Sequence, residues 1–204
     1  MQKVDFKKTL KALYAAPAGE FVTVDVPPLQ FVKVDGEGDP NTVAAYAEAL
    51  SWLYSASYAM KFESKAIGRD YVVPPLEGLW WADDPTMFTV RRKDQWQWTM
   101  MILVPDFVSG EMFEAAKHKS VAKLGEAPQS LRLEHCVEGP SLQTLHIGSY
   151  DAEGPLLAEL HDVVMPQQGL TFNGPHHEIY LSDPRRVEAS KLKTILRQPV
   201  RAVE

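Results

Sequence analysis

One cysteine, Cys136, stands in 204 residues, so no disulfide can form within the chain. Six histidines are present, but none follows another at the His-x-x-x-His spacing and no cysteine cluster joins them. That pattern argues against a zinc site. Positive charge is in deficit, with 21 basic against 27 acidic residues and a formal net charge of −6. A sequence-independent grip on a phosphate backbone, and with it nucleic acid as a partner, is therefore not expected. Long apolar runs are missing too. The greasiest stretches are broken by Lys, Asp or Pro well before the roughly 20 residues needed to cross a bilayer. Asp5, Lys7 and Lys8 stand where a signal peptide would place apolar residues, so the expected location is cytoplasmic, with no membrane partner. There is no Gly-x-Ser-x-Gly elbow, phosphate-cradling glycine loop or dinucleotide fingerprint. No cofactor is expected. What remains is a chain that is 45% hydrophobic, enough for a packed core.

Phe6, Leu10 and Leu13 recur at helical spacing and predict a short amphipathic helix near the N-terminus. Val22, Val24 and Val26 alternate with Thr23 and Asp25 as a half-buried strand does, and Pro27-Pro28 ends it. A second strand runs from Leu29 to Asp35. After the turn cluster Gly36-Glu37-Gly38-Asp39-Pro40, Val43, Ala47, Leu50 and Leu53 open a long helix that reaches Ala66. Tyr71 to Trp81 reads as a proline-bordered strand. From Gln95 to Val104 the alternation is strict, with Trp96, Trp98, Met100 and Ile102 on one face. A further helix is predicted from Glu111 to Leu124.

The second half repeats these signals in order: strand Leu142 to Gly148, a turn cluster at 151–154, a helix with Leu156, Leu157, Leu160 and Val164, then Tyr180 three residues before Asp183-Pro184. In the first half Trp81 precedes Asp84-Pro85 by the same three residues, and an alternating strand follows each Asp-Pro, the second spanning Lys191 to Gln198. The expected fold is α+β, built of two tandem βαββ repeats with pseudo-twofold symmetry and a ligand groove at their junction. Residues 1–204 would form one domain. Its first repeat covers about 20–106, an inserted helix about 109–125 and the second repeat about 130–200.

Within Pro175 to Leu181 the two-residue period puts His177, Ile179 and Leu181 on a core face and His176, Glu178 and Tyr180 on the other. A carboxylate there sits between an imidazole and a phenol. It is either an ordinary solvated or salt-bridged residue or, if aromatic rings wall it, a counter-ion for a cation or a base for water. The rings are available in Trp80-Trp81 and Trp96 with Trp98, while Trp52 reads as core. His146 is a second candidate polar group.

Asp5-Phe6-Lys7-Lys8 with Leu13-Tyr14, Val24-Asp25-Val26-Pro27, Asp35 to Asn41, Gly78-Leu79-Trp80-Trp81 and His176 to Arg186 together resemble the stand-alone GyrI-like small-molecule-binding proteins. These are related to the effector domains of multidrug-responsive transcription activators. The resemblance spans most of the chain and implies the doubled βαββ fold with an acidic residue, Glu178, near its groove. The stretch before Phe21 leaves no room for a helix-turn-helix reader, so DNA binding is not carried over. Some stand-alone members are cyclopropanoid cyclopropyl hydrolases, which add water to the strained ring of planar DNA-alkylating natural products and so detoxify them. The pattern of Tyr71, Trp80-Trp81 and Glu178 is similar to theirs.

On that basis Glu178 is expected to activate water, and Tyr71, or in second place Tyr180, to protonate the developing oxyanion. Trp80, Trp81 and Trp98 would sandwich the substrate, with His146, His176 and Tyr180 lining the site. The alternatives are a non-catalytic protein that sequesters multidrug or dye cations and, last, a protein-docking module. A monomer or weak dimer is expected.

Overall fold

The computed structural model describes residues 3–83 and 92–203; Asp84-Pro85, half of the repeat signature, lies outside them. In chain order the strands are β1 Val22–Val26, β2 Leu29–Glu37, β3 Leu76–Trp81, β4 Gln97–Val104, β5 Arg132–Cys136, β6 Gly139–Ile147, β7 Leu170–Phe172, β8 His176–Tyr180 and β9 Lys193–Ala202. With the helices this is a mixed α+β protein whose paired strands run antiparallel. The chain divides into two compact units. Leu29–Cys136 with the N-terminal residues through Thr9 make the first, and Leu10–Pro28 with Val137 onward make the second.

In the first unit β4 lies between β3 and β2, and β5 pairs the other edge of β2. The helix Ala44–Ala66 covers β2 and β4, burying Trp52, Leu53, Ala56 and Met60 completely. Small residues let a second helix, Gly110–Leu124, pack on the long one, with Ser55 and Ser120 hydroxyls 2.8 Å apart. Ser109 caps that helix through the Met112 N–H, and Gly125, at φ +85°, ends it where a side chain would be strained.

The strict alternation of β4 predicts one polar, wet face, but its central position buries every residue from Trp98 to Val104. Thr99 is accommodated by donating to the Asp35 carboxylate at 2.7 Å. Tyr71 precedes β3 and meets Val4 in a single parallel bridge rather than opening the strand.

The second unit orders its strands β1-β6-β9-β8, with β7 on the far end of β9. The strand Val22–Val26, read from sequence into the first half, pairs with β6 and belongs to this unit. The predicted helix is broken into Gly154–Ala158, a π-helical turn Glu159–Val164, and Met165–Gln167. Pro166 has no N–H for the Asp162 carbonyl and crowds it, which disfavours a continuous α-helix. Leu160 and Met165 from this segment close a core with Leu142 and Val200.

Near the N-terminus the expected single helix is two short turns, Phe6–Thr9 and Lys11–Tyr14, interrupted at Leu10. The second turn is anchored by Arg197, which donates to the Leu13 carbonyl at 2.6 Å. Among the described residues no helix is long and apolar enough to cross a membrane.

Candidate functional site

β8 carries the carboxylate the sequence singles out. Pairing with β9 places Glu178 opposite Leu196, and the period of two puts His176 and Tyr180 on the same side of the strand as Glu178. Glu178 is 9% exposed. The Tyr180 hydroxyl donates to its Oε2 at 2.8 Å, and Nε2 of His176 lies 3.7 Å from its Oε1, beyond hydrogen-bond reach. Burial pushes the His176 imidazole down to about 3, with His161 and His177 adding repulsion. At neutral pH His176 is uncharged, so its contact with Glu178 is not an ion pair.

Rings continue outward from this trio. Tyr150 meets Tyr180 edge-on at 5.7 Å, and His161 meets His176 at 6.3 Å and Phe172 at 4.9 Å. Burial lowers the His161 imidazole as well. A carboxylate that accepts from a phenol, beside an uncharged imidazole and largely out of bulk water, can attract a cation or orient and deprotonate a water molecule.

On the opposite face of β8, His177 meets another largely buried acid, Glu138, in a different environment. Glu138 Oε2 lies 3.0 Å from His177 Nδ1 and 3.5 Å from Arg197 Nη1. Burial alone would raise the Glu138 carboxyl, but His177 and Arg197 outweigh it and hold the group below the ordinary carboxylate range. Arg197 also donates to Gln143 at 3.0 Å. Glu138 is thus matched by cations and serves the core. Sequence reasoning missed this network; its one available signal was a histidine, His177, on an otherwise apolar strand face.

The other expected site residues are placed as follows. His146 is buried, with Nε2 3.0 Å from the Ser149 carbonyl at the end of β6, so its ring is engaged in the turn. Tyr71 is wholly buried in the first unit, where its hydroxyl donates to the Ser57 carbonyl of the long helix at 3.3 Å. Burial holds its phenolic proton well above the usual range.

Trp80 and Trp98 pack against Tyr46 of the long helix at 6.2 and 5.2 Å, and Trp80 also meets Trp96 at 5.7 Å. Trp98 is wholly enclosed over Gly36. Trp81 alternates to the opposite side of β3 and donates to Gln97 at 3.0 Å. Neighbouring strand residues face opposite ways, so Trp80 and Trp81 lie on opposite sides of β3, and Trp98 packs against Gly36. An open hollow of about 530 Å³, lined by Glu37, Gly38, Asp83, Asp94, Trp96 and Gln97, includes none of the expected site residues.

Antiparallel sheets backed by helices, with a carboxylate buried among aromatic rings, define an α+β protein of the ligand-binding kind. The chain belongs to the GyrI-like family, whose small molecule binding domain model matches residues 20–201. It is similar to the crystal structure of an uncharacterized conserved protein from Listeria innocua, at 38% identity and TM-score 0.88, covering 98% of this chain and 100% of that one. It is also similar to a hydrolase from Listeria innocua, at 37% identity and TM-score 0.82 over the same shares. The C-terminal domain of EcmrR shares the fold, at 12% identity and TM-score 0.59, covering 90% of this chain and 98% of that domain. No curated protein matches.

Proposed function

We propose that this GyrI-like protein binds flat aromatic small molecules and hydrolyses cyclopropanoid DNA-alkylating natural products, a detoxifying activity that would confer antibiotic resistance on its cell. The observation that carries the reading is Glu178: 9% exposed, held by Tyr180 at 2.8 Å, and beside an imidazole that burial keeps neutral. Family membership supports small-molecule binding, and the relative of Listeria innocua named a hydrolase supports turnover.

In the proposed step Glu178 takes a proton from water as the water oxygen bonds to a cyclopropane carbon. The ring C–C bond breaks, its electron pair moves through the conjugated system to the carbonyl oxygen, and a phenol protonates that oxygen. Each acid or base role is worth about 10²–10⁴ in rate. Tyr71 is assigned the proton donation, for which its hydroxyl would have to leave the Ser57 carbonyl. Tyr180, whose hydroxyl donates to Glu178, is assigned to hold that carboxylate. Trp80 and Trp81 are assigned to substrate contact. The order β2, helix, β3, β4 in the first half and β6, broken helix, β8, β9 in the second, with the short β7 added, supports a tandem βαββ repeat.

A second reading rests on the same carboxylate: buried near Tyr180 and Tyr150, Glu178 suits a lipophilic cation, to which aromatic rings add cation–π attraction. Incubation of substoichiometric protein with a cyclopropylindole compound and, separately, a rhodamine dye, followed by chromatography, decides between them. Catalytic loss of the first compound that disappears in Glu178→Gln is the expected result. Tight binding of both with neither consumed would leave only the binding reading.

A further inference from the structure

The outer side of the helix Ala44–Ala66 takes no part in the site, yet it is apolar. Tyr54, Tyr58 and Phe62 recur every four residues and are 37%, 47% and 61% exposed, and the last two rings are in contact at 6.4 Å. The inner side is already filled by Trp52, Leu53, Ala56 and Met60. A lone exposed aromatic needs no explanation, but three in one row, spanning about 12 Å of helix, form a contact surface.

Charge along the same row indicates what covers it. From Ala44 to Tyr58 the sequence holds a single charge, Glu48, which is exposed. Beyond Tyr58 come Lys61, Glu63, Lys65 and Arg69. Lys61 is committed to Asp70 at 2.7 Å, and Glu63 faces Lys119 at 3.5 Å. Exposed Lys65 and Arg69 remain without an ion pair among the described residues, and Arg69 only lies over the Phe107 ring at 5.5 Å.

The exposed side of the helix therefore runs from acidic at Glu48, beside the aromatic row, to basic at Lys65, with Arg69 just past the helix end at Ala66. Such a pattern complements itself when two copies pack antiparallel, as a two-fold axis requires of one patch used by both subunits. With the axis near Tyr58, Glu48 points toward the partner's Lys65 and the partner's Arg69, and the small, exposed Ser51 leaves space into which an opposing ring can fit.

We propose that this stripe forms a two-fold helix-to-helix contact with a second copy of the chain. One helix stripe is smaller than the roughly 800 Å² per partner of a standard stable interface, so the dimer is weak, dissociating on the order of 10–100 μM. Sedimentation velocity from about 1 μM to about 1 mM tests it, with thermal melts confirming that each exposed-site variant stays folded. The wild type should shift toward dimer across that range. Phe62→Glu should abolish the shift, and Glu48→Lys should weaken it about tenfold by setting like charges together. Adding Lys65→Glu and Arg69→Glu to Glu48→Lys should restore it. A wild type that stays monomeric at about 1 mM, a Glu48→Lys variant that associates normally, or a charge reversal that fails to rescue would each overturn the proposal.

Discussion

Replacing Gly36 with alanine is expected to damage the first unit far more than one methyl group suggests. Gly36 on β2 is paired with Trp98 on β4, and the indole lies across the glycine. A Cβ at residue 36 would overlap three ring carbons of Trp98, the least affected of them, Cζ3, at 2.7 Å. The ring has nowhere to retreat, being wholly enclosed and edge-on to Tyr46 at 5.2 Å. Overpacking in a tight core costs about 1–3 kcal/mol, and expelling the indole approaches the 3–5 kcal/mol of a large-to-small change, so about 3 kcal/mol is expected. For a chain of this size that corresponds to a fall in Tm of roughly 6–12 °C. Gly110→Ala is the control, because a Cβ there meets nothing within 4 Å. Combining Gly36→Ala with Trp98→Leu should cost clearly less than the sum of the two single changes, as coupled neighbours do. A Gly36→Ala protein melting within about 2 °C of wild type would refute this packing.

Other consequences follow from Glu138, His176 and the two tyrosines. Glu138→Gln leaves Arg197 and His177 buried without their carboxylate and should cost about 3–5 kcal/mol in urea unfolding. Because the Glu138 carboxyl is depressed in the folded protein, its contribution is present above the ordinary 4.5 and is lost as pH falls below it. His176 is lowered from 6.5 to about 3. Wild-type stability should therefore fall as pH drops from 6.5 toward 3, by up to about 1.4 kcal/mol per unit, and His176→Gln should flatten that slope in pH-dependent melts. In turnover assays Tyr71→Phe should lower kcat by about 10²–10⁴ if it donates the proton, whereas Tyr180→Phe should mainly shift the acid limb of the pH profile. The reverse outcome would exchange the two roles.

The β8 trio was legible because strand geometry leaves little choice: a two-residue period puts His176, Glu178 and Tyr180 on one side wherever the strand lies. The long helix was equally plain from its uninterrupted apolar spacing. Strand pairing was not. Val22–Val26 and Arg132–Cys136 are short, and local pattern does not say that the first joins β6 and the second joins β2, since pairing is decided by partners far along the chain. Burial of both faces of β4 was hidden for the same reason. His146 and Trp98 read as ligand groups by residue type, and only coordinates reveal that a turn carbonyl and Gly36 occupy them. The π-helical turn has a partial signal in Pro166, but proline alone does not distinguish a kink from a stop.

The central claim is that Glu178 delivers water to a strained carbon. Turnover of a cyclopropylindole compound in ¹⁸O-labelled water, read by mass spectrometry, should give product carrying one heavy oxygen with the wild type and unconverted compound with Glu178→Gln. Product formed equally fast by both proteins, or by neither, would contradict it.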